Sequence, residues 1–187
     1  MNNPKLIQHL PNLITAGRLL LTVLLAVLLM CEQSTGAAFF CWLLFSFAAA
    51  TDWVDGYVAR RFEAVSTLGK LLDPLADKLL VSTALIMLIP LGRIPAWVAL
   101  VILSREMFIT GLRGAASSAG IVVAASGLGK AKSITQYVGL GTLIFPLGIL
   151  PIPQLHQIGL ILVYIALVLT LWSGLDYFWK LHRIFLS

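Results

Sequence analysis

Apolar residues in this chain fall into long runs separated by short polar breaks. The runs lie at about 13–31, 37–51, 70–91, 95–112, 134–150 and 157–176. A helix needs about 20 residues to cross a bilayer. The second run reaches that length only by continuing through 52–59, so its helix is expected over 37–59. Ahead of the first run, Leu6, Ile7 and Leu10 can share one helical face with Lys5, Gln8 and His9 opposite. That pattern fits a short interfacial helix over 1–12. The expected fold is an all-α integral membrane protein, one domain over 1–187. It has six transmembrane helices behind a short N-terminal interfacial helix.

Composition removes the soluble alternative. Of 187 residues, 59% are hydrophobic and 11% charged, against about 25% charged in a soluble domain. The first run has no basic stretch before it beyond Lys5 and no A-x-A site after it, so a retained span is expected, not a signal peptide. Cys31 and Cys41 sit in or beside apolar runs and read as small hydrophobes. The net charge of +5 reflects membrane topology and anionic lipid, and argues against nucleic-acid binding. With six spans, 12 of the 13 Lys and Arg residues fall on the side that holds both termini; only Arg93 falls on the other. The positive-inside rule then makes both termini cytoplasmic.

The polar breaks carry the candidate chemistry. Asp52, Asp55, Asp73 and Asp77 are four of only eight acidic residues. Spacings of three and four put each pair on one helical face. Carboxylates at a membrane are costly and point to function. Four of them close together repel unless a cation bridges them, and an all-oxygen set favours a hard ion such as Mg²⁺ or Mn²⁺. Such an ion typically holds a phosphate or diphosphate. Two readings stand for the third helix. Either Asp73 caps it with Pro74 at the first position, or it begins near Gly69 and Pro74 kinks it. A second set of residues is basic: Arg105, Arg113, Lys130 and Lys132, suited to an anionic substrate. Asn12, Thr15 and Arg18 share one face near the start of the first span and are further candidate contacts.

The segment Asp-x-x-Asp-Gly-x-x-Ala-Arg, eight residues, Gly-x-x-x-Asp-x-x-x-Asp resembles the signature of the CDP-alcohol phosphatidyltransferases. Here it is Asp52, Asp55, Gly56, Ala59, Arg60, Gly69, Asp73 and Asp77, and every fixed position matches. The resemblance implies a six-helix bundle, usually dimeric, and a divalent metal site of two ions, Mg²⁺ or Mn²⁺. By this resemblance Asp52, Asp55 and Asp73 are metal ligands. Asp77 lies at the metals and is also the general base. Gly56, Ala59, Arg60 and Gly69 match nucleotide-binding positions for CDP-diacylglycerol, with CMP as leaving group.

The acceptor is the harder choice. Pro11 to Arg18, the Ser104-Arg105-Glu106 triplet, Gly129 to Lys132 with Thr135 and Gln136, and Leu169 to Ser173 resemble bacterial members that use sn-glycerol 3-phosphate. Ser133 stands where that branch is expected to have Thr, and keeps the hydroxyl. The chain has no His-x-Lys-x-x-x-x-Asp context and no G-x-S-x-G elbow, which leaves direct attack by an acceptor hydroxyl. Arg105, Arg113, Lys130 and Lys132 would then hold the acceptor phosphate. Inositol phosphate, serine or phosphatidylglycerol are the competing acceptors. A cation transporter is the competing class, and it predicts acids near the bilayer midplane on broken helices. The expected setting is the bacterial cytoplasmic (inner) membrane, with a cytoplasmic active site.

Overall fold

The computed structural model describes residues 4–31, 34–62, 67–118, 120 and 127–186. Side chains are described within 15–31, 34–51, 76, 78–118, 120 and 128–182. Six helices follow one another: α1 Pro4–Met30, α2 Thr35–Phe62, α3 Thr67–Leu88, α4 Ala96–Ser118, α5 Gly127–Ile144 and α6 Leu155–Leu186. No strand occurs among the described residues.

Local chemistry sets most helix ends. Ser34 caps α2: its Oγ accepts from Ala37 N at 3.2 Å and its carbonyl from Ala38 N at 2.9 Å, satisfying donors that a helix start leaves open. Gly92, at φ 67°, turns the chain between α3 and α4 in a region that disfavours other residues. Pro146 stops α5: it cannot donate, and it biases Phe145 away from helical geometry.

The helices differ from expectation at three places, and the third helix takes one of its two expected forms. No break separates residues 4–12 from the first span, because α1 runs through Pro11 from Pro4. Proline's φ suits a helix, and its cost there is a lost backbone bond. α3 starts at Thr67 and contains Pro74, so Gly69, Asp73 and Asp77 belong to one helix. The 113–133 connection is largely helical, because α4 reaches Ser118 and α5 starts at Gly127. α5 ends at Ile144, well short of 150.

The chain divides into two compact units, Met1–Leu91 with Ile144–Pro153, and Gly92–Leu143 with Gln154–Ser187. In the first, α1 packs on α2 and α3. Thr15, Arg18, Thr22, Leu25 and Leu29 are buried along α1, and Ala38, Cys41, Phe45 and Ala48 along α2. Steps of three and four keep each set on one face. Phe145 packs edge-on to Trp42, with ring centroids 5.1 Å apart, and ties the 144–153 segment to α2.

In the second unit α4 packs on α6. The buried stripe of α6 is Val163, Ala166, Leu167, Thr170, Ser173, Tyr177 and Leu181. Its other faces are also apolar, with Ile161, Val168, Trp172 and Leu175 exposed. A helix apolar all round fits a lipid environment. Within α6, Leu155–His182 is long and apolar enough to cross a membrane. Thr15–Met30, Thr35–Thr51 and Lys78–Leu88 are shorter apolar segments.

Candidate active site

The acidic motif stands on two consecutive helices. Asp52, Asp55, Gly56, Ala59 and Arg60 lie in α2, which stays helical through Phe62; Gly69, Asp73 and Asp77 lie in α3. The side chains of all eight are outside the described residues, as is that of Asn12. In sequence, Asp52, Asp55 and Ala59 continue the steps of three and four set by the buried Ala38, Cys41, Phe45 and Ala48. The donor set is four carboxylates, with no nitrogen or sulfur ligand in the motif, and this chemistry fits a hard divalent ion. In the same unit, Thr15 and Arg18 are buried on α1, the helix that packs on both motif helices. Arg18 is 2% exposed, so its side chain does not lie out along lipid as a snorkelling arginine would.

The second unit holds the basic residues. On α4, Val98, Ile102, Ile109 and Ala116 form a buried stripe. Arg105 falls in step with them, three residues after Ile102 and four before Ile109, so the core face of α4 carries a guanidinium. Its Nη1 donates to Glu106 Oε1 at 3.1 Å and its Nη2 to Ser173 Oγ at 2.8 Å. On α5, Lys132, Gln136, Leu140 and Leu143 form another buried stripe. Lys132 Nζ donates to the same Glu106 Oε1. One carboxylate oxygen therefore gathers two cations from α4 and α5, and the trio keeps a net positive charge.

Lys132 precedes the apolar run at 134–150. Arg113 is exposed. Its guanidinium stands 5.5 Å from the centroid of the Tyr177 ring, within cation–π range. Lys130, two residues from Lys132, is exposed and off the buried stripe. Thus Arg105 and Lys132 are brought together at Glu106, Arg113 stands over Tyr177, and Lys130 stands apart from the Glu106 cluster.

Several buried polar atoms in this unit have no hydrogen-bond partner among the described residues: Arg105 Nε, Gln136 Nε2, Thr170 Oγ1 and Tyr177 OH. Such atoms are costly unless something satisfies them. Gly174 and Tyr177 were not picked out from the sequence. The available signal was the spacing of Thr170, Ser173, Gly174 and Tyr177, a small and polar stripe inside the apolar sixth run.

The helical fold, the membrane-length α6 and the carboxylate motif define a class of helical membrane protein with a candidate metal site. A family profile described as CDP-alcohol phosphatidyltransferase matches residues 8–172, and the chain belongs to that family. Its members generally depend on a divalent metal. A CDP-diacylglycerol–glycerol-3-phosphate 3-phosphatidyltransferase of Bacillus subtilis (strain 168) is 39% identical, covering 92% of this chain and 94% of the relative. A probable phosphatidylglycerophosphate synthase of Mycobacterium tuberculosis (strain ATCC 25618 / H37Rv) is 36% identical over 91% of this chain and 80% of its own. A CDP-diacylglycerol–glycerol-3-phosphate 3-phosphatidyltransferase of Rickettsia bellii (strain RML369-C) is 36% identical over 93% and 96%.

Proposed function

We propose that the protein is a phosphatidylglycerophosphate synthase. It transfers the phosphatidyl group of CDP-diacylglycerol to sn-glycerol 3-phosphate, giving phosphatidylglycerophosphate and CMP. The donor half follows from the family and its complete motif. The observation that carries the acceptor half is the convergence of Arg105 and Lys132 on Glu106 Oε1 in a part-buried cluster. Two cations held by one carboxylate are ready to receive a phosphate, and ordering them beforehand lowers the cost of binding. The names of the relatives point to the same acceptor.

Asp52, Asp55, Asp73 and Asp77 would hold two divalent ions, Mg²⁺ or Mn²⁺. When bound, these supply charge neutralisation at the diphosphate. Gly56, Ala59, Arg60 and Gly69 bind the CDP moiety. Arg105, Arg113, Lys130 and Lys132 bind the acceptor phosphate, and Asn12, Thr15 and Arg18 are further substrate contacts. The acceptor hydroxyl oxygen forms a bond to the phosphatidyl phosphorus as the bond to CMP breaks. Asp77 takes the hydroxyl proton on a carboxylate oxygen.

The chain crosses the bacterial cytoplasmic membrane six times, with both termini and the active site cytoplasmic, and it works as a homodimer. The distribution of Lys and Arg supports the orientation, and the family resemblance supports the dimer. The test is CMP release from CDP-diacylglycerol by the purified protein against a panel of acceptors. Release with sn-glycerol 3-phosphate is expected. Release only with inositol phosphate, serine or phosphatidylglycerol would overturn the acceptor assignment.

A further inference from the structure

Ser173 and Gly174 lie on the face of α6 that meets Arg105. The Ser173 hydroxyl donates to Thr170 O at 3.1 Å. Its proton is thereby committed to the backbone, and its lone pairs are left for Arg105 Nη2 at 2.8 Å. Gly174 supplies the space beside this bond. A Cβ at 174 would lie 2.9 Å from Arg105 Nε, 3.5 Å from its Cγ and 3.7 Å from its Nη2. The three nearest neighbours of that Cβ are thus all atoms of Arg105.

Gly139 differs in kind, because a Cβ there would lie 3.1 Å from the backbone nitrogen of Val163. Gly139 lets two helices approach, whereas Gly174 makes room for one side chain. With Glu106 on Nη1 and Ser173 on Nη2, the guanidinium is fixed at both terminal nitrogens. Each of these keeps one further N–H.

We propose that Ser173 and Gly174 are positioning residues for the acceptor site. Together they seat the Arg105 guanidinium in the orientation that receives the acceptor phosphate. This rests on the reading of Arg105 as a phosphate ligand. An alanine at 174 displaces the flexible end of an arginine and not a helix, so the fold survives while the guanidinium leaves Ser173. An alanine at 173 removes the acceptor of the Nη2 bond and leaves the space unchanged.

The experiment measures KM for sn-glycerol 3-phosphate and for CDP-diacylglycerol, with the melting temperature in detergent. The variants are Ser173→Ala, Gly174→Ala and Arg105→Ala, together with the two double variants that carry Arg105→Ala. Each α6 variant is expected to raise KM for the acceptor about 10-fold, the scale of one weakened charge-assisted contact. KM for the donor and the melting temperature should stay unchanged. In the Arg105→Ala background neither α6 substitution should raise the acceptor KM further, because their effect passes through the guanidinium. If Arg105→Ala raises the acceptor KM selectively but both α6 variants leave it unchanged, positioning is overturned and the phosphate role of Arg105 survives. If Arg105→Ala does not act selectively on the acceptor, the reading beneath the proposal fails with it. Additive effects in the double variants overturn it as well.

Discussion

Replacing Asp52, Asp55 or Asp73 by Asn keeps the shape of the side chain and removes its negative charge. A hard divalent ion loses an anionic oxygen ligand each time, so each single variant should lose nearly all CMP release while still inserting and folding. Near-wild-type rates in any two would end the metal assignment. Asp77 separates from these by its second role. A general base contributes typically 10²–10⁴-fold, so Asp77→Asn should lose at least that much in turnover while binding CDP-diacylglycerol nearly normally. It should also lose the acidic limb of the pH–rate profile. A variant that keeps this limb and recovers at high metal concentration would make Asp77 a ligand only. Among the basic residues, Lys132 is buried and bonded to Glu106, and Lys130 is exposed. Lys132→Ala should therefore raise the acceptor KM by about 10- to 150-fold, from about 1.5–3 kcal/mol for a lost charged contact. Lys130→Ala should have a clearly smaller effect, and equal effects would show that burial does not select the phosphate ligand. The residue types of both candidate sites stand out in the sequence, because carboxylates and cations are rare in apolar runs. The partners of Arg105 do not, because Ser173 lies 68 residues away and only tertiary packing joins them.

At the scale of the element, run lengths located six helices but misplaced their ends. Hydropathy measures what lipid or core tolerates, whereas helix ends follow caps, prolines and glycines. Thus Pro146 ended α5 inside an apolar run, and α4 continued into polar sequence as far as Ser118. The small residues of the fifth run were a weak pattern in the sequence, and packing gives Gly139 a definite role. A Cβ there would lie 3.1 Å from Leu162 Cβ, from Val163 Cγ2 and from Val163 N. Two of these are rigid positions on α6, so a larger residue must push α5 and α6 apart. Gly139→Leu should cost about 1–3 kcal/mol by overpacking, seen as a lower unfolding temperature in detergent. An unchanged transition would mean that this close approach contributes nothing to stability. The expected contrast with Gly174→Ala, which should lower acceptor affinity without lowering that temperature, separates a glycine that packs helices from one that seats an arginine.

At the scale of the whole molecule, orientation in the membrane rests on charge. In the proposed six-span topology 12 cations fall on one side against Arg93 alone on the other, and the positive-inside rule would put the N-terminus in the cytoplasm. In that orientation α1 would lead outward, and Cys31, just beyond its last residue Met30, would emerge on the external side. Cys31 is exposed and Cys41 is fully buried in α2, so the native chain carries one accessible thiol and one internal control. A membrane-impermeant maleimide added to intact spheroplasts should label Cys31, and Cys31→Ser should abolish the labelling. Cys41 should label only after denaturation. Labelling of Cys31 that appears only when the membrane is opened would reverse the orientation. The acidic motif begins near the far end of α2, one helix further along the chain, so that reversal would also move the proposed site to the wrong side for a soluble cytoplasmic acceptor.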